Sequence, residues 1–107
     1  MAEYVLGMAE ILDDKALHEA MAVHPHWSVE DGALQRSVQA PTFLDGVNLV
    51  VQVAREAEDR DHHPDIDIRW RTVTFRCSTH SAGGITGADV ELAAVIDELV
   101  DRLTPAA

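Results

Sequence analysis

Glu58, His62, His63, Pro64, Trp70, His80 and Asp89 are spaced as Glu-x3-His-His-Pro-x5-Trp-x9-His-x8-Asp across the centre of the chain. Imidazole exchanges protons near neutral pH, so histidines that converge on one cleft suit a reaction that removes one proton and delivers another. Glu58 stands one helical turn before His62, the i,i+4 spacing at which a carboxylate can orient a ring. Pro64 biases His63 away from the helical region, so the two adjacent rings diverge. His80 follows Cys77 by three residues, at the end of a strand pattern, where a rigid sheet holds a side chain open to ligand. These placements imply a cleft between a helix end and a strand end.

Each of these residues also has a plainer role. Asp89 can serve as the capping partner of Thr86, Glu58 as a solvated helix residue, and Trp70 as sheet packing. His18, His24 and His26 read as surface or hydrogen-bonded histidines, and Gly83-Gly84 as turn chemistry without the spacing of a phosphate loop. Asp59, Asp61, Asp65 and Asp67 offer oxygen ligands near the histidines, but adjacent His62 and His63 are poorly spaced for one ion. There is also no HExxH or CxxC pattern, and a metal site is not expected. Ser78 and Ser81 flank His80 too closely to present a nucleophile to its ring.

The elements that must position these groups follow from hydrophobic periodicity. Asp13 or Asp14 caps a helix over 14–22, and His24-Pro25-His26 ends it. Between Trp27 and Gln39 the pattern alternates, with Leu34, Arg36 and Val38 on one side, and Asp31-Gly32 turns between two short strands. Thr42 and Asp45 form a capping box. Val47, Val50, Val51, Ala54 and Ala57 then trace a helical stripe to about residue 60. Ile66, Ile68 and Trp70, then Val73, Phe75 and Cys77, alternate as two half-buried strands. Thr86 caps a last helix with Asp89 at its third position and an apolar stripe of Leu92, Val95, Ile96, Leu99 and Leu103, closed by Pro105. The order α-β-β-α-β-β-α predicts an α+β domain with an antiparallel sheet and its helices on one face. Leu49 and Val53 widen the apolar surface of the middle helix beyond what one sheet needs, which suggests self-association.

With 107 residues the chain accommodates one domain over 1–107, and its lone Cys77 has no internal disulfide partner, as in a reducing cytoplasmic compartment. A net charge of -11 with only 8 Lys and Arg works against direct nucleic-acid binding. The segment from Met1 to Leu12 has neither the charge nor the apolar run of a signal peptide or membrane span, and no role is assigned to it.

The seven spaced positions, together with Ser78-Thr79-His80 and Gly84-Ile85-Thr86 leading into Asp89, resemble the pterin-4a-carbinolamine dehydratases. The likeness runs from about Asp13 to Leu103. It implies a four-stranded antiparallel sheet with helices on one side, assembled as a homodimer or homotetramer. It also implies a cofactor-free dehydratase acting on the small molecule 4a-hydroxytetrahydropterin, in recycling of the pterin cofactor. By the same resemblance His62 and His80 serve as acid and base, and His63 contacts substrate and assists. Asp61, Ser78 and Thr79 line the pterin pocket, Glu58 and Asp89 support the histidines or the pterin ring, Pro64 fixes the loop, and Trp27 borders the pocket. Val38, Ala40 and Pro41 depart from the family, which often has phenylalanines before the middle helix. Some members resembling the vertebrate form act as a dimerisation cofactor of a transcription factor, and some bacterial ones as Rubisco assembly factors. Retention of all three histidines favours the enzyme.

Overall fold

The computed structural model describes residues 10–103. Its elements are α1 (Asp14–Val23), β1 (Ser28–Glu30), β2 (Ala33–Gln39), α2 (Phe43–Arg60), β3 (Asp65–Arg69), β4 (Thr72–Cys77) and α3 (Gly87–Leu103). This is the predicted α+β order, and the strands form one antiparallel sheet in the order β1-β2-β4-β3. The stop expected at Pro105 lies outside the described residues.

Alternation along the strands divides the sheet into two unlike faces. Leu34 and Val38 of β2 and Val73, Phe75 and Cys77 of β4 are buried with Leu49 and Val53 of α2 and Leu92, Ala93, Ile96, Leu99 and Val100 of α3. Burying each large aliphatic or aromatic side chain contributes about 1.5–3 kcal/mol, so this single cluster carries the fold. Gln35, Ser37, Thr74 and Arg76 point to the face without helices. Arg36 has the parity of the core face, and its guanidinium is accommodated there by an ion pair with Asp97 of α3.

Local chemistry fixes the ends of each element. Asp13 accepts the Ala16 N–H at 2.8 Å and Thr42 accepts the Asp45 N–H at 3.0 Å, which caps α1 and α2. Asp31 and Gly32 both have positive φ, 49° and 76°, as the tight turn between β1 and β2 requires.

Two sequence expectations change. The buried side of α2 is Gly46, Leu49, Val53 and Ala57, whereas Val51 and Ala54 of the expected stripe face outward. The rotation is set where α2 meets the sheet, since a Cβ on Gly46 would lie 3.3 Å from Val73 Cγ2 and 3.6 Å from the Cβ of Ala40. The small residues Gly46 and Ala40 let the helix approach the sheet closely. Trp70 continues the parity of Ile66 and Ile68, yet it is 71% exposed. Arg69 still pairs with Thr72, so Trp70 and Arg71 alone make the turn. Trp70 takes φ 52°, and its ring is covered by the Arg71 guanidinium at 4.6 Å.

The segment ending at Leu12 gains a structural part at its last residues. Ile11 pairs with Thr86, and the Leu12 N–H bonds to the Ile85 carbonyl at 2.9 Å, bracing the loop before α3.

Candidate active site

The C-terminal end of α2 sets the direction of the paired histidines. Asp61 adopts the left-handed conformation, φ 49° and ψ 43°. Its N–H bonds to the Glu58 carbonyl at 3.2 Å, and the His62 N–H reaches back to the Ala57 carbonyl at 3.0 Å. This double closure satisfies helix carbonyls that would otherwise lack partners and fixes where residue 62 leaves the helix. An aspartate tolerates the left-handed region better than most residues with a Cβ.

The N-terminus of α3 supplies the partner of His62. Asp89 is fully buried. Its Oδ2 accepts the Thr86 N–H at 2.9 Å and the Thr79 hydroxyl at 2.8 Å, and its Oδ1 meets His62 Nε2 at 2.5 Å. The cap and the histidine support weighed as alternatives in the sequence are therefore made by the two oxygens of one carboxylate. Hydrogen-bond direction follows along the network. The Thr79 proton goes to Asp89, so the Thr86 hydroxyl donates to Thr79 Oγ1 at 2.8 Å and accepts the Ala88 N–H at 3.3 Å. A carboxylate accepts only, so His62 Nε2 is the protonated nitrogen facing it. In the neutral ring Nδ1 is then an acceptor.

Glu58 does not support His62. Its Oε2 lies 2.6 Å from His63 Nε2, and both side chains are largely exposed. The left-handed turn at Asp61 takes His62 off the helical path on which the i,i+4 expectation rested, and brings His63 back to Glu58. Pro64 follows as the helix exit and is half-buried.

His80 stands beyond the end of β4 and is exposed. It lines a hollow of about 370 Å³ together with Ser78, Asp31, Asp65 and Arg76. The loop that follows folds back, with Thr79 N–H on the Gly84 carbonyl at 2.8 Å and Gly83 at φ 79°. Thr79, the residue before His80, is the hydroxyl on Asp89, so one hydrogen-bonded path links the His62 ring to the base of the His80 loop.

Trp27, expected beside the pocket, is a core residue in this subunit. It is 4% exposed and its indole N–H donates to Asp97 Oδ1 at 2.8 Å. A buried indole needs an acceptor, and α3 provides one at that site. Cys77 is buried with no disulfide partner. Burial, and then the nearby charges of Asp89 and Asp65, push its thiol from 9.0 up to about 12, so it is no nucleophile at neutral pH. Among the described residues no three His, Cys, Asp or Glu side chains gather as a metal-binding group, and no helix is long and apolar enough to cross a membrane.

Sequence reasoning saw Thr86 only as a cap, Asp31 only as a turn residue and Asp65 only as a possible metal ligand, and it did not single out Arg76. The capping box signalled the first, and strand alternation together with the Asp-Gly turn placed the others on the open face near His80.

An α+β subunit with its imidazoles placed by a helix exit and a strand end is the class defined by this fold and site. The chain belongs to the pterin 4 alpha carbinolamine dehydratase family, whose sequence profile matches residues 10–99. A protein of Mycobacterium sp. strain KMS, provisionally named pterin-4-alpha-carbinolamine dehydratase, is 54% identical over 92 residues, 86% of this chain and 98% of that relative. One from Nocardia farcinica with the same provisional name is 52% identical over 90 residues, 84% and 95% of the two chains. Among solved structures, a transcriptional coactivator/pterin dehydratase from Brucella melitensis superposes with a TM-score of 0.82 at 27% identity, over 85% of this chain and 99% of that one. A pterin dehydratase-like protein described as a RuBisCO assembly factor in the alpha-carboxysome shares the fold, with a TM-score of 0.58 at 18% identity over 72% and 93% of the two chains.

Proposed function

We propose that the protein is a dehydratase that converts 4a-hydroxytetrahydropterin to quinonoid dihydropterin and water, with histidines moving the protons. The reaction removes the N5 proton, breaks the C4a–O bond and protonates the departing hydroxyl. Each well-placed general acid or base contributes on the order of 10²–10⁴ in rate. The observation that carries the reading is the His62–Asp89–Thr79 path, which leaves His62 Nδ1 as an acceptor in the neutral ring and ties it to the loop bearing His80. His62 is the base toward N5 and His80 the acid toward the hydroxyl. His63, steadied by Glu58, contacts the substrate, as do Asp61, Ser78 and Thr79. The natural setting is recycling of a reduced pterin in the cytoplasm.

The working form is a homo-oligomer joined through the outward side of α2, where Phe43, Leu44 and Val51 are exposed. The same exposed side chains favour a second reading, a protein-binding scaffold like the coactivator or assembly factor named among the relatives.

Stopped-flow measurement of dehydration, using wild type, His62→Ala and His80→Ala, separates the two readings. The dehydratase predicts turnover above the uncatalysed background that collapses in both variants while their circular dichroism is unchanged. A wild-type rate equal to background overturns it.

A further inference from the structure

We infer that Ile11, at the end of the N-terminal segment, is a positioning residue for the dehydration: it grips the far foot of the His80 loop and so keeps His80 aligned with the His62–Asp89 pair. This rests on the dehydratase reading above.

The turn that carries His80 is closed on itself. Thr79 N–H bonds to the Gly84 carbonyl at 2.8 Å, and the Thr79 carbonyl accepts the Ala82 and Gly83 N–H groups at 3.0 and 2.9 Å. His80, Ser81 and Gly83 are exposed. Bonds inside such a turn fix its shape, but its tilt depends on its two feet. One foot is β4, locked into the sheet where Cys77 pairs with Leu34. The other is Gly84-Ile85-Thr86, which leads into α3.

Ile11 holds that second foot by backbone and side chain together. It pairs with Thr86, and the next N–H, that of Leu12, bonds to the Ile85 carbonyl at 2.9 Å. Its side chain lies over Gly84, with Cδ1, Cγ1 and Cγ2 at 3.4, 3.6 and 3.7 Å from the place a Cβ would take. Gly84 and Thr86 are the two residues that hold Thr79, the first through its carbonyl and the second hydroxyl to hydroxyl at 2.8 Å. Thr79 in turn donates to Asp89 and immediately precedes His80. The grip has a firm base, because Leu12 packs against the core and Asp13 caps α1. Ile11 itself is 55% exposed, so it adds little to the core, and what it steadies is the loop.

Amide hydrogen exchange and stopped-flow dehydration on the full chain, as wild type, Ile11→Ala and Ile11→Val, test the assignment. Alanine removes all three atoms that cover Gly84, whereas valine keeps both Cγ atoms. Ile11→Ala is expected to speed exchange of the Thr79 amide about tenfold while amides of β2 and α2 keep their protection. It should also lower kcat about tenfold with KM within about twofold, because slight misplacement of an acid forfeits part of its contribution without weakening ground-state binding. Ile11→Val should return both readouts to wild-type values. An unchanged Thr79 amide in Ile11→Ala, a kcat within about twofold of wild type, or a loss that valine does not rescue overturns the inference and leaves the dehydratase standing. A wild-type rate equal to the uncatalysed background overturns the dehydratase reading, and the part assigned to Ile11 falls with it.

Discussion

At the scale of single residues the site is organised by one carboxylate. Asp89 is held from three sides, by the Thr86 N–H, the Thr79 hydroxyl and the His62 ring, and none of these contacts is replaceable by water at a fully buried position. The first prediction concerns the tautomer. Long-range proton–nitrogen NMR should show the proton of neutral His62 on Nε2, and a ring protonated on Nδ1 would mean that the donor chain runs the other way. The second concerns stability: Asp89→Ala strands the Thr86 N–H and the Thr79 hydroxyl in the interior and should cost about 1–3 kcal/mol in urea unfolding. Cys77 gives a third. Below pH 9.0 its thiol is neutral both folded and unfolded. Between 9.0 and about 12 the unfolded thiol ionises first, so its contribution to stability falls as pH rises through that window. At pH 8 it should resist iodoacetamide until the chain is unfolded, and modification in native buffer would contradict the burial. The sequence made Asp89 legible as a cap and as a histidine support, but not as both together. Two oxygens with different partners become visible only once α2 and α3 are docked. The pairing of Glu58 was misread for a related reason, since i,i+4 spacing presumes that the helix continues and Asp61 ends it.

The elements matter here through their ends. The helix exit at Asp61 works through its backbone, so Asp61→Gly should keep the histidines in place. Asp61→Val, a β-branched residue in the left-handed region, should lose about 1–2 kcal/mol of stability together with His62 positioning. Equal effects of the two substitutions on melting temperature would contradict that view. The hairpin at Asp31-Gly32, the caps at Asp13, Thr42 and Thr86, and the breaks at Pro64 and Gly83-Gly84 were all readable from sequence, because each depends on local chemistry that a few residues specify alone. What could not be read was rotation. The stripe on α2 offered apolar side chains over most of its circumference. The buried side was chosen by a tertiary fact, the close approach of Gly46 to Val73 and Ala40. Trp70 was misplaced because parity cannot show which residue of a run becomes the turn.

For the whole molecule, the same choice of rotation leaves Phe43, Leu44 and Val51 exposed on a chain whose acidic surface otherwise favours solubility. Sedimentation at micromolar concentration should therefore give a multiple of 11.7 kDa, and Leu44→Asp with Val51→Asp should return the monomer. A wild-type protein that sediments at 11.7 kDa removes the assembly proposal but leaves the chemistry of the subunit standing. The element order and the antiparallel sheet with its helices were legible at this scale because alternating and helical periods change at clear breaks. The hollow beside His80 was not, since it depends on which strands become neighbours. In the proposed dehydration His62 acts as a proton acceptor because Asp89 fixes its tautomer, and Asp89→Asn isolates that role, since the amide keeps the shape while offering the ring a donor. Single-turnover dehydration of 4a-hydroxytetrahydropterin by Asp89→Asn, with its fold checked by circular dichroism, should be slower than wild type by at least about 10². A rate within about twofold of wild type would contradict the account.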